Sequence, residues 1–456
     1  MGKMQAINPA TEELMAEYDT HLPDEVDQIV SDVDNAWVDW RKTSFSDRSA
    51  YLNKAADLLE ENAPEYAELM LQEMGKPLAQ GEAEAKKCAW VCRYYAENAE
   101  DFLKDEIIDT DAKKTKVSYR PIGTILTIMP WNFPFWQVFR QIAPNLMAGN
   151  TMVLKHASNV PGCALAIEKL MSDSGLPKNV FRTLMVPGSE TERVIINPRV
   201  KGVSITGSTP AGKKVAAAAG SVLKKCVLEL GGSDPYVVLE DADIDSAAQK
   251  CAFSRLINGG QSCIAAKRFI VVDSIYDEFV EKFIEQLKTY KVGYPNEEST
   301  QVGPLARVDL RDELHNQVTR SVEAGAKISL GGDKPEGKGA FYPVTVLENI
   351  QKGNPAYGEE FFGPVALVIR VKDEAEAIMV ANDTEFGLGG AVFSRDESRA
   401  ENIATNEIDS GAVFVNSFVA SDPRVPFGGT KQSGYGRELG QHGIYEFVNV
   451  KSVQIA

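Results

Sequence analysis

Thr124-Ile125-Leu126-Thr127-Ile128-Met129 opens the part of the chain whose texture decides the fold. It is an apolar, β-branched run of strand length, stopped by Pro130, and similar short runs follow at 151–154, 181–186 and 202–206. Helix-length stretches near 134–148, 160–174 and 189–197 separate them. This alternation predicts βαβ units, and hence an α/β fold with helices covering a parallel sheet. A second series, with strands near 236–239, 269–272, 365–371 and 412–415, predicts a second α/β domain. Upstream, the first hundred residues read as helices. Between Pro23 and Trp40 apolar residues recur at Val26, Ile29, Val30, Val33, Trp37 and Trp40, one face of a helix with proline near its start. Residues 45–74 and 81–104 continue in that style, broken at Gly75-Lys76-Pro77. Residues 447–456 alternate like a half-buried strand, which needs an edge to pair with; another subunit is one source.

The 456 residues predict about three domain-sized units. With 65 acidic against 48 basic side chains the net charge is −17, a balance that repels phosphate backbones and anionic lipid. No nucleic-acid or membrane partner is expected. Residues 1–5 lack a secretory signal, and the most apolar run, 122–136, is broken by Gly123, Pro130 and Pro134. A cytoplasmic location is the expectation. The six cysteines are scattered, unlike a disulfide framework, and no Cys–His cluster has metal-ligand spacing, so no metal is expected. Cys88 and Cys92, four apart on one helix face, read as core.

Two phosphate-like motifs fail on inspection. Gly207-Ser208-Thr209-Pro210-Ala211-Gly212-Lys213-Lys214 nearly matches a P-loop, but Lys214 stands where a hydroxyl must ligate magnesium. A glycine turn between strand and helix still offers N–H groups and a positive dipole end to some phosphate. Gly434-Tyr435-Gly436-Arg437-Glu438-Leu439-Gly440 is one residue too long for a dinucleotide fingerprint and has no strand before it. It reads as a turn.

The informative residues are distributed. Pro130-Trp131-Asn132-Phe133-Pro134 follows the first strand, and Glu229-Leu230-Gly231-Gly232 follows the strand from Lys225. Gly260-Gln261-Ser262-Cys263, Glu359-Glu360-Phe361-Phe362-Gly363-Pro364 and Pro426-Phe427-Gly428-Gly429 come after them. Each alone has a plain structural reading. In this order they resemble the aldehyde dehydrogenase superfamily over nearly the whole chain, closest to the short bacterial branch of succinate-semialdehyde dehydrogenases. The stretches 131–140 and 155–160 carry that closer likeness.

The resemblance implies two doubly wound α/β domains, one for the cofactor and one catalytic, plus a small β oligomerisation arm. It places the cofactor domain at 1–106 and 122–230, the catalytic domain at 231–425, and the arm at 107–121 and 426–456. A homodimer or homotetramer follows from the arm. Cys263 would attack an aldehyde as thiolate, with the Asn132 amide and the Cys263 backbone N–H holding the oxyanion. Glu229 would activate the water that hydrolyses the thioester, a base that acyl-transferring relatives lack.

Cofactor contacts are implied at Trp131, Lys155, Ser158, Gly207, Ser208, Leu230, Glu360 and Phe362. Relatives that prefer NAD carry Glu at the position of Ser158, where it would repel a 2′-phosphate. Ser158 with Lys155 therefore implies NADP as the preferred cofactor, with NAD accepted. Arg140, Ser421 and Trp136 are implied for a small aldehyde with a terminal carboxylate; the plainer reading of Arg140 is a surface salt bridge. Two positions depart from many succinate-semialdehyde enzymes: Ile257 replaces an arginine before the nucleophile, and Ala265 replaces a second cysteine after it. Arg140 should then carry most of the carboxylate recognition, and a local disulfide switch is absent. Glutarate semialdehyde or a general aliphatic aldehyde is the alternative substrate; a phosphotransferase or a non-catalytic binding protein are the rival classes.

Overall fold

The computed structural model describes residues 2–456; Met1 lies outside the described residues. Thr124–Met129 lies inside a six-stranded sheet ordered Gly434–Tyr435, Lys225–Glu229, Val200–Thr206, Thr124–Met129, Thr151–His156, Phe181–Thr183. Neighbours are parallel except Gly434–Tyr435, which pairs antiparallel with Lys225–Glu229. Thr151–His156 is buried at every residue and Thr124–Met129 at nearly every one. Covered on both faces, such strands read as unbroken apolar runs without alternation. From Thr124–Met129 the chain steps to one side, then returns to lay Val200–Thr206 on the other. At such a reversal a crevice opens beyond the carboxyl ends of the strands. Three loops leave from those ends: Pro130-Trp131-Asn132, Gly207-Ser208 and Leu230-Gly231.

The second sheet has seven strands, ordered Lys327–Leu330, Thr345–Glu348, Val365–Val371, Arg268–Val272, Pro235–Val238, Gly389–Phe393, Ala412–Val415. Only its first strand is antiparallel. Cys263 lies on the connection between the Ile244–Leu256 helix and the Arg268–Val272 strand. A third sheet joins Val448–Ile455 to Lys114–Pro121 and Glu106–Ile108, all antiparallel.

Several expectations are corrected. The all-helical opening misses a hairpin, Lys3–Ile7 against Leu14–Asp19. Its inward residues, Met4 and Ala6, are weak strand formers, so the alternation is faint. The 45–74 stretch is two helices, Phe45–Glu61 and Ala63–Met74. The terminal strand finds its edge within its own chain, on Lys114–Pro121. Of the segment given to the arm, Gly434–Tyr435 instead extends the six-stranded sheet. Cys88 and Cys92 are buried in the Leu78–Phe102 helix, where desolvation drives their thiols away from ionising.

That helix also seats the loop that carries Asn132. The Trp136–Ala148 helix is buried along its whole length and has no side-chain cap of its own. Glu84 supplies one from outside, accepting the Phe135 and Trp136 N–H groups at 2.9 and 3.0 Å. Lys76 ion-pairs with the same carboxylate. A buried charge so paired and bonded fixes the helix end, and with it the Asn132 loop.

Candidate active site

The loop before Cys263 is shaped by three successive left-handed residues, Asn258 (φ 54°), Gly259 (φ 64°) and Gly260 (φ 77°). A Cβ on Gly260 would lie 2.2 Å from the Gly363 carbonyl oxygen, so only glycine fits there. The loop delivers Cys263, the one cysteine of the six that is half-buried rather than fully buried. Asn132 Nδ2 donates to the Gln261 carbonyl at 3.0 Å, while Asn258 Nδ2 donates to the Asn132 carbonyl at 2.7 Å. These bonds tie Asn132 to the Cys263 loop and leave it one amide N–H to give. Asn132 Oδ1 has no hydrogen-bond partner among the described residues.

Lys267, which the sequence reading missed, lies beneath this loop. Its Nζ donates to the Ser262 and Cys263 carbonyls at 2.8 and 2.6 Å and sits 3.6 Å from Glu360. Burial pushes the Cys263 thiol up to about 12, opposed by the positive charges of Lys267 and Arg140.

Two cavities meet at Cys263 and Gln137, which line both. The first, of about 280 Å³, brings together Trp131, Asn132, Gly207, Ser208, Leu230, Glu360 and Phe362. Trp131 meets Phe362 edge-on, with ring centroids 5.8 Å apart. Glu360 accepts the Gly232 N–H at 3.0 Å. Gly207 gives its own N–H to the Glu229 carbonyl at 2.9 Å, so any anion would draw on the first turn of the Thr209–Ser221 helix instead. The buried Thr206 hydroxyl, on the same wall, has no partner among the described residues. Lys155 and Ser158 are not on this wall. Lys155 is buried in the paired strand Thr151–His156, its ammonium without an ion pair or hydrogen bond among the described residues, and Ser158 is exposed in the turn beyond. The P-loop reading fails again: Lys213 Nζ donates to Gln432 Oε1 at 2.8 Å.

The second cavity, of about 490 Å³, brings Trp136, Arg140 and Ser421 together with Cys263. Arg140 is no surface salt bridge. Its Nε lies 2.7 Å from Glu438 Oε2, with the two side chains 2% and 0% exposed. The N–H points off that line, so charge rather than an aligned hydrogen bond holds the pair. Nη2 donates to Gln137, and the guanidinium stacks 4.8 Å over Phe427. Ser421 accepts from Lys87 Nζ at 2.9 Å, and that ammonium lies 4.4 Å over the Trp136 ring. Lys87 was also missed. Its signal was helix phase, because it shares a face with buried Glu84 and Val91, three before and four after it. Ile257 lines this cavity as well.

Glu229 is not brought onto either wall. It ends the Lys225–Glu229 strand, buried, and neither carboxyl oxygen has a partner among the described residues. Burial raises its pKa well above the carboxylate range, and the nearby Glu438 raises it further against Arg140 and Arg437. Glu438 is itself raised by burial, with Arg140 opposing. Both buried carboxyls therefore lie in the field of Arg140, with Arg437 acting on Glu229 as well. Gly428 makes room for Glu229, since a Cβ there would lie 2.6 Å from Glu229 Oε1.

Residues 1–453 match the aldehyde dehydrogenase family. A probable succinate-semialdehyde dehydrogenase [NADP(+)] of Synechocystis sp. is 46% identical over 450 residues, covering 99% of each chain. Succinate-semialdehyde dehydrogenase [NADP(+)] 1 of Mycobacterium bovis is 48% identical over 455 residues, again 99% of each. The crystal structure of succinic semialdehyde dehydrogenase from Streptococcus pyogenes in complex with NADP+ superposes with a TM-score of 0.97 at 38% identity, over 99% of both chains.

Proposed function

Because the chain belongs to the aldehyde dehydrogenase family, we propose that it oxidises succinate semialdehyde to succinate, with NADP preferred and NAD accepted. One observation carries the substrate: a single cavity has Cys263 on its wall together with Arg140, Ser421 and Trp136. A four-carbon chain with an aldehyde at one end and a carboxylate at the other suits such a wall. The guanidinium and the hydroxyl would take the carboxylate while Trp136 bounds the methylenes.

The chemistry follows from the residues. Cys263 gives its proton to solvent water and, as thiolate, adds to the aldehyde carbon, forming the C–S bond as the carbonyl π bond opens. The carbonyl oxygen gains the charge and takes hydrogen bonds from the Asn132 amide and the Cys263 N–H. Bound nicotinamide supplies the two-electron acceptor for the hydride that leaves this carbon. Trp131, Gly207, Ser208, Leu230, Glu360 and Phe362 would hold that cofactor; the orphaned Thr206 hydroxyl and the Glu360 carboxylate suit ribose and phosphate oxygens. Lys155, without a partner, and Ser158 favour a 2′-phosphate, and both curated relatives above carry NADP(+) in their names. The thioester left on Cys263 is opened by water, whose proton goes to Glu229 as the C–S bond breaks. Nothing bonds the Glu229 carboxyl where it rests, so swinging it toward the sulfur breaks no hydrogen bond. The exposed apolar residues of the third sheet, Ile107, Ile108, Val450 and Ile455, support a homodimer or homotetramer built through that arm.

A spectrophotometric panel of aldehydes of graded length, with and without a terminal carboxylate, run with NAD and NADP, tests the reading. The expected optimum is succinate semialdehyde with NADP. Equal kcat/KM for butanal, or a tenfold preference for NAD, would overturn the corresponding half.

A further inference from the structure

We propose that Lys87 is a specificity-determining residue, supplying the uncompensated positive charge that receives the substrate carboxylate in the cavity leading to Cys263. The inference rests on the acid-tailed substrate proposed above and assigns its recognition differently. Three cations line this cavity. Lys76 is neutralised by Glu84, and Arg140 by Glu438. Lys87 has no carboxylate within ion-pair distance among the described residues; its bonding partner is the neutral Ser421 hydroxyl at 2.9 Å. A carboxylate entering beside Arg140 alone would meet a charge already spent on Glu438. One entering beside Lys87 completes a pair.

The local geometry supports this role. Ser421 accepts from Lys87, so its own O–H is free to donate, and the ammonium keeps two further N–H groups. Together they present donors to both oxygens of a carboxylate. The Trp136 face, 4.4 Å from Nζ, holds the ammonium in place. Burial lowers the Lys87 pKa to about 8, helped by Arg140 across the cavity and opposed by Cys88 and Glu84 on its own helix and Asp422 in the facing loop. Protonated Lys87 is the form that binds a carboxylate, so recognition is present below about pH 8 and lost above it.

The test measures kcat/KM for succinate semialdehyde and for butanal with NADP, on the intact enzyme and on Lys87→Met and Lys87→Arg. In Lys87→Met the ratio of the two should fall about 30-fold, the scale of one hydrogen bond to a charged group, with the loss in KM. Lys87→Arg should keep most of the preference. An unchanged ratio in Lys87→Met, with the wild-type preference intact, overturns the role of Lys87 alone. No preference in the wild type overturns both this and the substrate reading. Should Lys87→Met not fold, Lys87→Gln in the same assay decides: the ratio should fall as for methionine, and an unchanged ratio overturns the proposal.

Discussion

Replacing Arg140 by methionine should do more than weaken substrate binding. Its Nε is 2.7 Å from Glu438, and both side chains are almost wholly shielded from water. At an effective dielectric of about 20 that separation corresponds to roughly 6 kcal/mol of gross attraction, before desolvation is subtracted. Breaking a buried pair by removing one partner costs about 3–5 kcal/mol, because the other charge is left uncompensated. The loss would spread, since Arg140 also opposes the raised pKa of Glu229. Without it Glu229 holds its proton more firmly, and thioester hydrolysis should slow for every aldehyde. Arg140→Met alone is thus expected to lower the thermal midpoint and to depress turnover of both succinate semialdehyde and butanal. Adding Glu438→Gln should restore much of the stability and of the butanal activity, leaving a defect specific to acid-tailed substrates. Thermal scans and steady-state kinetics on the wild type, both single variants and the double variant complete the cycle. If Arg140→Met costs less than about 1 kcal/mol, well below the range for a broken buried pair, or if the double variant is no more stable than Arg140→Met, the reasoning about this pair is wrong.

Alkylation of Cys263 by iodoacetamide in the cofactor-free enzyme should accelerate about tenfold per pH unit from 7 to 10, because burial holds the thiol near 12 and only the thiolate reacts. A plateau below pH 9 would contradict this. Asn132→Ala should lower kcat by about 10²–10³ in steady-state assays with little change in cofactor binding, as expected for one lost oxyanion donor. Glu229→Gln should give a burst of one NADPH per active site followed by turnover slowed about 10²–10⁴-fold, visible by stopped-flow absorbance. Ser158→Glu should reverse the cofactor preference, with kcat/KM for NADP falling at least about tenfold relative to NAD as the new carboxylate meets the 2′-phosphate.

The sheets were legible where strands covered on both faces leave a mark: 124–129 and 365–371 appear in the fold with the expected bounds, and the half-buried edge strand 412–415 was found by its apolar run. Glycine-rich Gly389–Phe393 and the exposed Lys327–Leu330 carry no such mark and were missed. Within the site, Asn132, Glu229 and Cys263 could be singled out because each follows or ends an element in a recognisable motif. Lys267 and Glu438 could not, and Lys87 only through its helix phase. Lys87 gains its meaning from Ser421, Lys267 from two backbone carbonyls, and Glu438 from Arg140; none of these partnerships is written in local spacing. Arg140 is the instructive intermediate. Its place on the cavity wall was anticipated, but the partner that already occupies its charge comes from a turn far along the chain.

The cavities that meet at Cys263 have only one other lining residue in common, Gln137. Walls with so little shared material can be rebuilt separately. Free-energy changes from substitutions on one side should therefore sum with those on the other, the behaviour of sites without common contacts. Ser158→Glu combined with Lys87→Met would alter redox partner and aldehyde range as independent properties. Gln137, touching both spaces and bonded to Arg140, is where that independence should fail.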